Sequence, residues 1–364
     1  MQKNHTFAGE LAKLAENVGE LGCGTSLYAY IRYLNRFWEK PDRLFTERYR
    51  PVVEAEDAAA GPRPFLSVIT RTQGRRPDTL REMLLSLAAQ TDEDFELLLI
   101  GHRLPAGGRE ELEACLGELP PSFRARTRLF TLDSGNRTEP LNLGFAHARG
   151  RCAAVLDDDD LVFADWVERF HEEAERAPGC ILHAYVVTQK WEFINGAPRS
   201  AAAPGAECCT GFRFARQLGV NLCPLLGLAF PTVYFRRWGL IFDESLSTTE
   251  DWDYLMRLAP IAGVRDIPRP TGLYRLWLNS ENSQTAHPRQ EWERNYEAIQ
   301  RKLRRMPLLF PADCDKLERA ELCPPAPAPR RLLLKNRCRR FVPRPLWRMA
   351  GRLYRALGGT KWLG

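Results

Sequence analysis

The chain predicts an α/β fold with a Rossmann-like, mostly parallel central sheet flanked by helices. Three observations carry this. Short apolar runs alternate with longer segments of helical character between Phe65 and Leu156, and the connections between them are short. That alternation is the signature of a parallel sheet with right-handed crossovers. The apolar run Ala153-Ala154-Val155-Leu156 then leads into Asp157-Asp158-Asp159-Asp160, which places four carboxylates at the carboxyl end of a buried strand. Ligands of open α/β sheets bind at that edge.

From Phe7 to about Arg50, Leu11, Leu14, Val18 and Leu21 recur near helical spacing and predict a helical extension. The Ala/Gly/Pro-rich stretch from Ala55 to Pro64 marks a boundary, so residues 1–60 read as extension and linker. The spacing next predicts a strand over 65–70, a helix over 78–90 and a strand over 95–100. A helix over 109–116, a strand over 128–132, a helix over 139–148 and the strand over 152–156 follow, then a helix from near Phe163. After Gly179 the pattern turns mixed. Strands are expected over 181–187 and 227–235, separated by a long irregular stretch. A helix over 249–258 and strands over 264–267 and 271–277 complete it. Pro324-Pro325-Ala326-Pro327-Ala328-Pro329 reads as a stiff linker of polyproline type.

Length and composition exclude some classes. At 364 residues, with 44% hydrophobic and 27% charged residues, the chain holds one large domain or two smaller ones. No window of about 18 uninterrupted apolar residues occurs, so no spanning helix is expected. The start, Met1-Gln2-Lys3-Asn4-His5, leads into no signal-type apolar core. Ten cysteines lack paired metal spacing: Cys208-Cys209 is adjacent and Cys223 stands apart. Reduced thiols and a cytoplasmic location are the expectation. The net charge of +6 is uneven. From Arg330 to Lys361 there are eleven Lys and Arg and no acid, leaving 41 basic against 46 acidic residues elsewhere. Such a tail calls for a partner of its own.

Three groups of residues carry chemistry. Four adjacent carboxylates repel one another unless a cation or donors offset them. Hard oxygen ligands suit Mg2+ or Mn2+; the alternative is an acidic loop capping the next helix. The first strand–helix junction, Thr70-Arg71-Thr72-Gln73-Gly74-Arg75-Arg76-Pro77, offers donors for a base and diphosphate, or is a solvated loop. It is neither a P-loop nor a G-x-G-x-x-G turn. In Thr249-Glu250-Asp251-Trp252-Asp253, Glu250 and Asp253 share a helix face while Asp251 points about a quarter-turn away. One carboxylate there is a candidate general base, or the acids merely complement the helix dipole. Trp252 is either a stacking face for a sugar or a core residue.

Taken together and in order, these groups resemble the inverting family 2 glycosyltransferases of the GT-A fold, including those that build bacterial surface polysaccharides. The resemblance runs from about Phe65 to Ser283. It is strongest in Asn142 to Gly150, Leu156 to Asp160, Trp166, Phe242 to Leu246, Thr249 to Asp253 and Tyr274-Arg275. It implies a glycosyltransferase domain over 61–305, with a nucleotide-binding half (61–160) and an acceptor half (161–305), followed by a linker and basic tail over 306–364. By this resemblance Asp157 and Asp159 form a D-x-D pair, the first at the ribose and the second on the metal, with Asp158 beside them at the nucleotide sugar. Thr70 and Arg71 match the base-contacting strand end, and Asn142 a position near the nucleotide. Asp251 matches the catalytic base, with Glu250 its neighbour near the acceptor.

The implied reaction is metal-dependent (Mg2+ or Mn2+), hexosyltransferase-type transfer from a UDP-, GDP- or dTDP-sugar to a hydroxyl of a glycan or lipid-linked acceptor. Two positions depart from the pattern. The second strand ends Leu99-Ile100-Gly101-His102-Arg103 without the aspartate that many relatives use to recognise the base, leaving His102 as a candidate contact or a plain loop histidine. Trp277 stands where relatives often carry a histidine near the metal. In the tail, Leu332-Leu333-Leu334, Phe341, Leu346-Trp347, Met349, Leu353-Tyr354 and Leu357 interleave with arginines. This suits an anionic membrane surface through residues 330–364, hence a peripheral position on the inner face of the cell membrane. The rivals are a helix packed on the domain or an acidic protein partner. No nucleic-acid motif accompanies the charge, so no nucleic acid is expected. Two other functions stay open: a binding module without turnover, and a nucleotidyltransferase on a similar sheet. Donor and acceptor specificity is expected in the irregular stretch from about Lys190 to Leu226.

Overall fold

A computed structural model of the chain describes residues 61–303, apart from 213–216, 218 and 280–286, together with Ala55. All belong to the first of two units into which the chain divides, Met1–Leu317 and Glu318–Gly364. The expected N-terminal helices and the basic tail lie outside the described residues.

In chain order the elements are β1 (Leu66–Thr72), α1 (Pro77–Ala88), β2 (Phe95–His102), α2 (Gly108–Gly117), α3 (Pro121–Ala125) and β3 (Thr127–Leu132). There follow α4 (Glu139–His147), β4 (Cys152–Val155), β5 (Leu161–Val162), α5 (Trp166–Arg176), β6 (Ile181–Ile194), β7 (Ala197–Ser200) and β8 (Gly205–Cys208). Then come β9 (Leu228–Pro231), α6 (Thr232–Trp238), α7 (Glu250–Ala262), β10 (Val264–Trp277) and α8 (Arg289–Leu303). The strands form one sheet in the order β3-β2-β1-β4-β9-β6-β10-β5, with β7 and β8 paired to β6. β3, β2, β1 and β4 pair in parallel, as do β6 and β10. β9 runs antiparallel between β4 and β6. Most paired residues therefore lie in parallel ladders, and the second half is mixed, as the sequence predicts.

The apolar runs are continuous because both faces of the sheet are covered. Leu66, Val68, Leu97 and Leu99 pack under Leu80, Met83, Leu84 and Leu87 of α1 and under Trp166 and Phe170 of α5. The alternate residues Ile69, Leu98, Ile100 and Val155 pack with Leu141 and Phe145 of α4 and with Tyr254 and Leu258 of α7. Proline at the start of α1 presets its first turn. Gly144 lets α4 close on the sheet, since a Cβ there would stand 2.5 Å from the Ile69 side chain. Among the described residues no helix is long and apolar enough to cross a membrane.

Three boundaries differ from expectation. The strand expected over 227–235 stops at Pro231, which has no N–H to extend a ladder. Thr232 instead begins α6, its hydroxyl donating to the Gly150 carbonyl at 2.8 Å. The two strands expected over 264–277 are one, β10, which absorbs Pro268 and Pro270 through register shifts around Pro270. The helix expected from Phe163 begins at Trp166, because Leu161 and Val162 pair with β10 first. Helix α8, which bears on the site below, was not among the expected elements.

Candidate active site

Parallel pairing of β1 with β4 puts Ile69 opposite Val155, so the residues just beyond, Arg71 and Asp157, meet at the sheet edge. The Arg71 Nε donates to Asp157 Oδ1 at 3.1 Å. Its Nη1 donates to the Arg137 carbonyl at 2.7 Å and to Glu250 Oε1 at 2.8 Å. The Arg137 Nε lies 3.0 Å from the same Glu250 oxygen. Arg71 thus ties the acidic end of β4 to the first residue of α7, 179 positions away in sequence. Burial works against the Glu250 charge, but Arg137 and Arg71 outweigh it and hold its carboxyl down to about 2.

The next residue is the opposite case. Asp251 is half-buried, and its Oδ2 accepts a hydrogen bond from Asn221 Nδ2 at 2.9 Å. Burial, and then the neighbouring Glu250 charge, push its carboxyl up to about 6. Both carboxylates follow Thr249, a β-branched residue at φ 61° in the left-handed region, a backbone state that costs about 1–2 kcal/mol. The segment is held in place from two sides. Asn142 of α4 donates to Phe242 O at 3.0 Å and to Glu244 Oε1 at 2.8 Å, and accepts from Phe242 N at 2.9 Å. The Thr138 hydroxyl donates to Leu246 O at 2.8 Å. From the other side, Asn295 of α8 donates to the Thr248 hydroxyl at 2.8 Å.

The four aspartates divide their roles. Asp157 pairs with Arg71. Asp158 accepts from the Thr72 hydroxyl at 2.5 Å, and burial, with the Asp159 charge, raises it to about 7. The Asp159 Oδ2 meets Arg76 Nη2 at 2.8 Å, yet its carboxyl is still raised, chiefly by burial. Asp160 is enclosed and accepts from the Arg275 backbone N–H at 2.9 Å; burial and Asp159 raise it well above the usual range. It therefore fastens β10 to this loop rather than capping α5, whose first position is flanked by Asp165. The Arg275 side chain, also enclosed, donates from Nε to the Asp159 carbonyl and pairs through Nη1 with Glu82.

Among the described residues no three His, Cys, Asp or Glu side chains form a metal cage. The loop nonetheless fits a hard cation. Asp158, Asp159 and Asp160 are raised by burial and by neighbouring aspartates, a mutual repulsion that a divalent ion would relieve. Magnesium commonly takes one or two carboxylates and completes its shell with water and substrate phosphate.

Other expected site residues land differently. Thr70 is wholly enclosed in β1, with no hydrogen-bond partner for its hydroxyl among the described residues, so it presents no surface to a base. Asn142 spends its amide on the Phe242 backbone and the Glu244 side chain, and so positions the α7 entry. His102 is buried, its Nε2 2.9 Å from Ser134 O, which is the plain structural reading. Trp277 stacks on Phe193 with centroids 4.6 Å apart and lies under the Arg76 and Arg275 guanidinium groups. Trp252 is a core residue whose Nε1 donates to Gln217 O at 2.7 Å. Arg76, Arg137 and Asn221 were not anticipated. Arg76 lies in the donor-rich junction, whereas Arg137 and Asn221 belong to irregular segments that carry no pattern.

Residues 67–202 match the family model described as glycosyl transferase family 2. An uncharacterized glycosyltransferase of Rickettsia felis is 25% identical over 196 residues, covering 50% of this chain and 30% of the relative. One of Rickettsia conorii is 24% identical over the same length, with the same coverage. The match thus spans about 30% of the length of these curated relatives. Among solved structures, S. aureus TarS 1-349 in complex with UDP-GlcNAc superposes with a TM-score of 0.49 at 14% identity, covering 66% of this chain and 71% of that one. S. aureus TarS 1-349 gives a TM-score of 0.46 at 16% identity, covering 58% and 60%. Residues 67–202 thus form a domain similar to glycosyl transferase family 2.

Proposed function

We propose that this chain transfers a hexosyl group from a nucleotide-sugar donor (UDP-, GDP- or dTDP-linked) to a hydroxyl of a glycan or lipid-linked acceptor, in surface polysaccharide synthesis. The observation that carries the reading is the Arg71 bridge, which brings the strand-end carboxylates and the α7 carboxylates to one edge of the sheet. In this reading Arg71, Asp157 and Asp158 face the donor, and Asp159 holds Mg2+ or Mn2+. That ion, when bound, neutralises charge on the departing diphosphate. Asp251 takes the proton of the attacking hydroxyl. The acceptor oxygen bonds to the anomeric carbon as the bond to the diphosphate oxygen breaks on the far side, and the configuration inverts. A carboxyl near pKa 6 suits a base working near neutral pH. Glu250, held charged by two guanidinium groups, anchors the base and takes no proton.

The test is a screen of UDP-, GDP- and dTDP-sugars for thermal stabilisation of the full chain with 5 mM Mn2+ or Mg2+ (roughly millimolar, as for weakly held cofactors), followed by product analysis. One nucleotide class should stabilise the wild type, less so after chelation, and much less for Asp159→Ala. No stabilisation by any nucleotide sugar would overturn the assignment. We further propose that the protein works in the cytoplasm at the inner face of the membrane, supported by the run of eleven basic residues without an acid between Arg330 and Lys361.

A further inference from the structure

Helix α8 meets the start of α7 at a cavity of about 530 Å³ lined by Thr249, Arg289, Trp292, Glu293, Tyr296 and Glu297. That size lies within the roughly 300–1,000 Å³ common for small-ligand sites. Its wall is built into the site described above. Thr249 is the residue immediately before Glu250 and Asp251. Beneath it, Ser247 bonds to Glu291 of α8, and Asn295 holds Thr248. Tyr296 packs one face on the core residue Trp252, with centroids 5.6 Å apart, and remains 41% exposed. The Nε1–H of Trp292 is buried and has no partner among the described residues. Trp292 and Tyr296 lie one helical turn apart, as do Arg289, Glu293 and Glu297 in succession, so aromatic and charged groups share this side of α8.

We propose that this cavity is an acceptor subsite that binds a sugar unit of an extended glycan, two residues along the chain from the base Asp251. Resting on the glycosyltransferase reading, it goes further by assigning α8 to the acceptor. The chemistry selects a carbohydrate over an apolar ligand. Aromatic rings with a polar edge suit the mixed apolar and hydroxylated faces of a pyranose. The Glu297 carboxylate and the Arg289–Glu293 ion pair, 2.8 Å long, offer acceptors and donors to ring hydroxyls.

The test uses the full chain on an immobilised panel of neutral and anionic bacterial oligosaccharides, with donor binding measured separately by thermal shift with the nucleotide sugars. Wild type should bind at least one glycan class. Trp292→Ala should weaken that binding tenfold or more, with nucleotide-sugar stabilisation unchanged. Because Trp292→Ala also removes packing, Glu293→Gln with Glu297→Gln serves as the second variant and should weaken binding at least threefold at unchanged Tm. Wild type that binds no glycan, or polar variants that bind as wild type does, would overturn the subsite. Glycan binding lost on substitution, in a protein that binds no nucleotide sugar, would support the subsite and defeat the glycosyltransferase reading instead.

Discussion

Two adjacent carboxylates, Glu250 and Asp251, sit in one turn of one helix and are driven in opposite directions. Glu250 meets two guanidinium groups and stays charged to about pH 2, whereas Asp251 meets an amide and its neighbour's charge and titrates near 6. Transfer should therefore rise with pH through about 6 and then level off, measured as kcat/KM from pH 4.5 to 8. Asp251→Asn should cost about 10²–10⁴-fold in kcat while nucleotide-sugar binding persists; near-normal transfer would remove Asp251 as the base. The linkage signs also differ. The Glu250 pKa is depressed, so its stabilisation is present above its usual 4.5 and lost as pH falls towards 2. The Asp251 pKa is raised, so the fold gains from its proton below 3.8 and loses that gain as pH rises through 6. Glu250→Gln leaves the half-buried guanidinium group of Arg137 short of a counter-charge and Arg71 with Asp157 alone. It should destabilise by about 1–3 kcal/mol, read from the urea midpoint at pH 7, and the loss should shrink below pH 4.

Helix α4 reaches the candidate site through contacts that its sequence position conceals. It packs on β1 through Gly144 and turns Asn142 outward to clamp the chain that enters α7. Asn142→Ala strands the Phe242 N–H and carbonyl, a cost of about 1–3 kcal/mol each when buried. Because the clamp holds the segment that carries the base, kcat should fall while donor affinity stays within about twofold, a ratio worth under 0.5 kcal/mol. A raised donor Kd with unchanged kcat would instead return Asn142 to the nucleotide. The asparagine in that motif was legible as important, but its partners were not. Phe242 and Glu244 lie 100 and 102 residues downstream, and no periodicity links them.

At the scale of the whole molecule, charge separates the acidic body from the basic tail. The full chain should sediment with phosphatidylglycerol vesicles at low salt and release as salt rises, whereas a chain ending at residue 329 should not. Equal sedimentation of the two would remove the membrane role. The half of the sheet from β1 to β4 was legible because its strands are short apolar runs with helices between them, a pattern carried by short segments of sequence. The second half was less so. Two strands were expected over 264–267 and 271–277 where bulges join one, and α6 begins where an apolar run continues.

The sequence by itself determined the α/β class, the edge of the sheet that carries the acids, and the family that its ordered motifs resemble. Those features depend on periodicity and on residue type, which are properties of short segments. Only the tertiary structure decided which partner each acid takes. The Asp run became a set of unequal groups: one tied to Arg71, one to Thr72, one to Arg76 and one enclosed against β10. Which carboxylate stays charged and which is poised near 6 depends on the guanidinium groups of Arg137 and Arg71, which lie 113 and 179 residues from Glu250. Proton affinity is set by burial and neighbouring charge, and neither exists until the chain has folded.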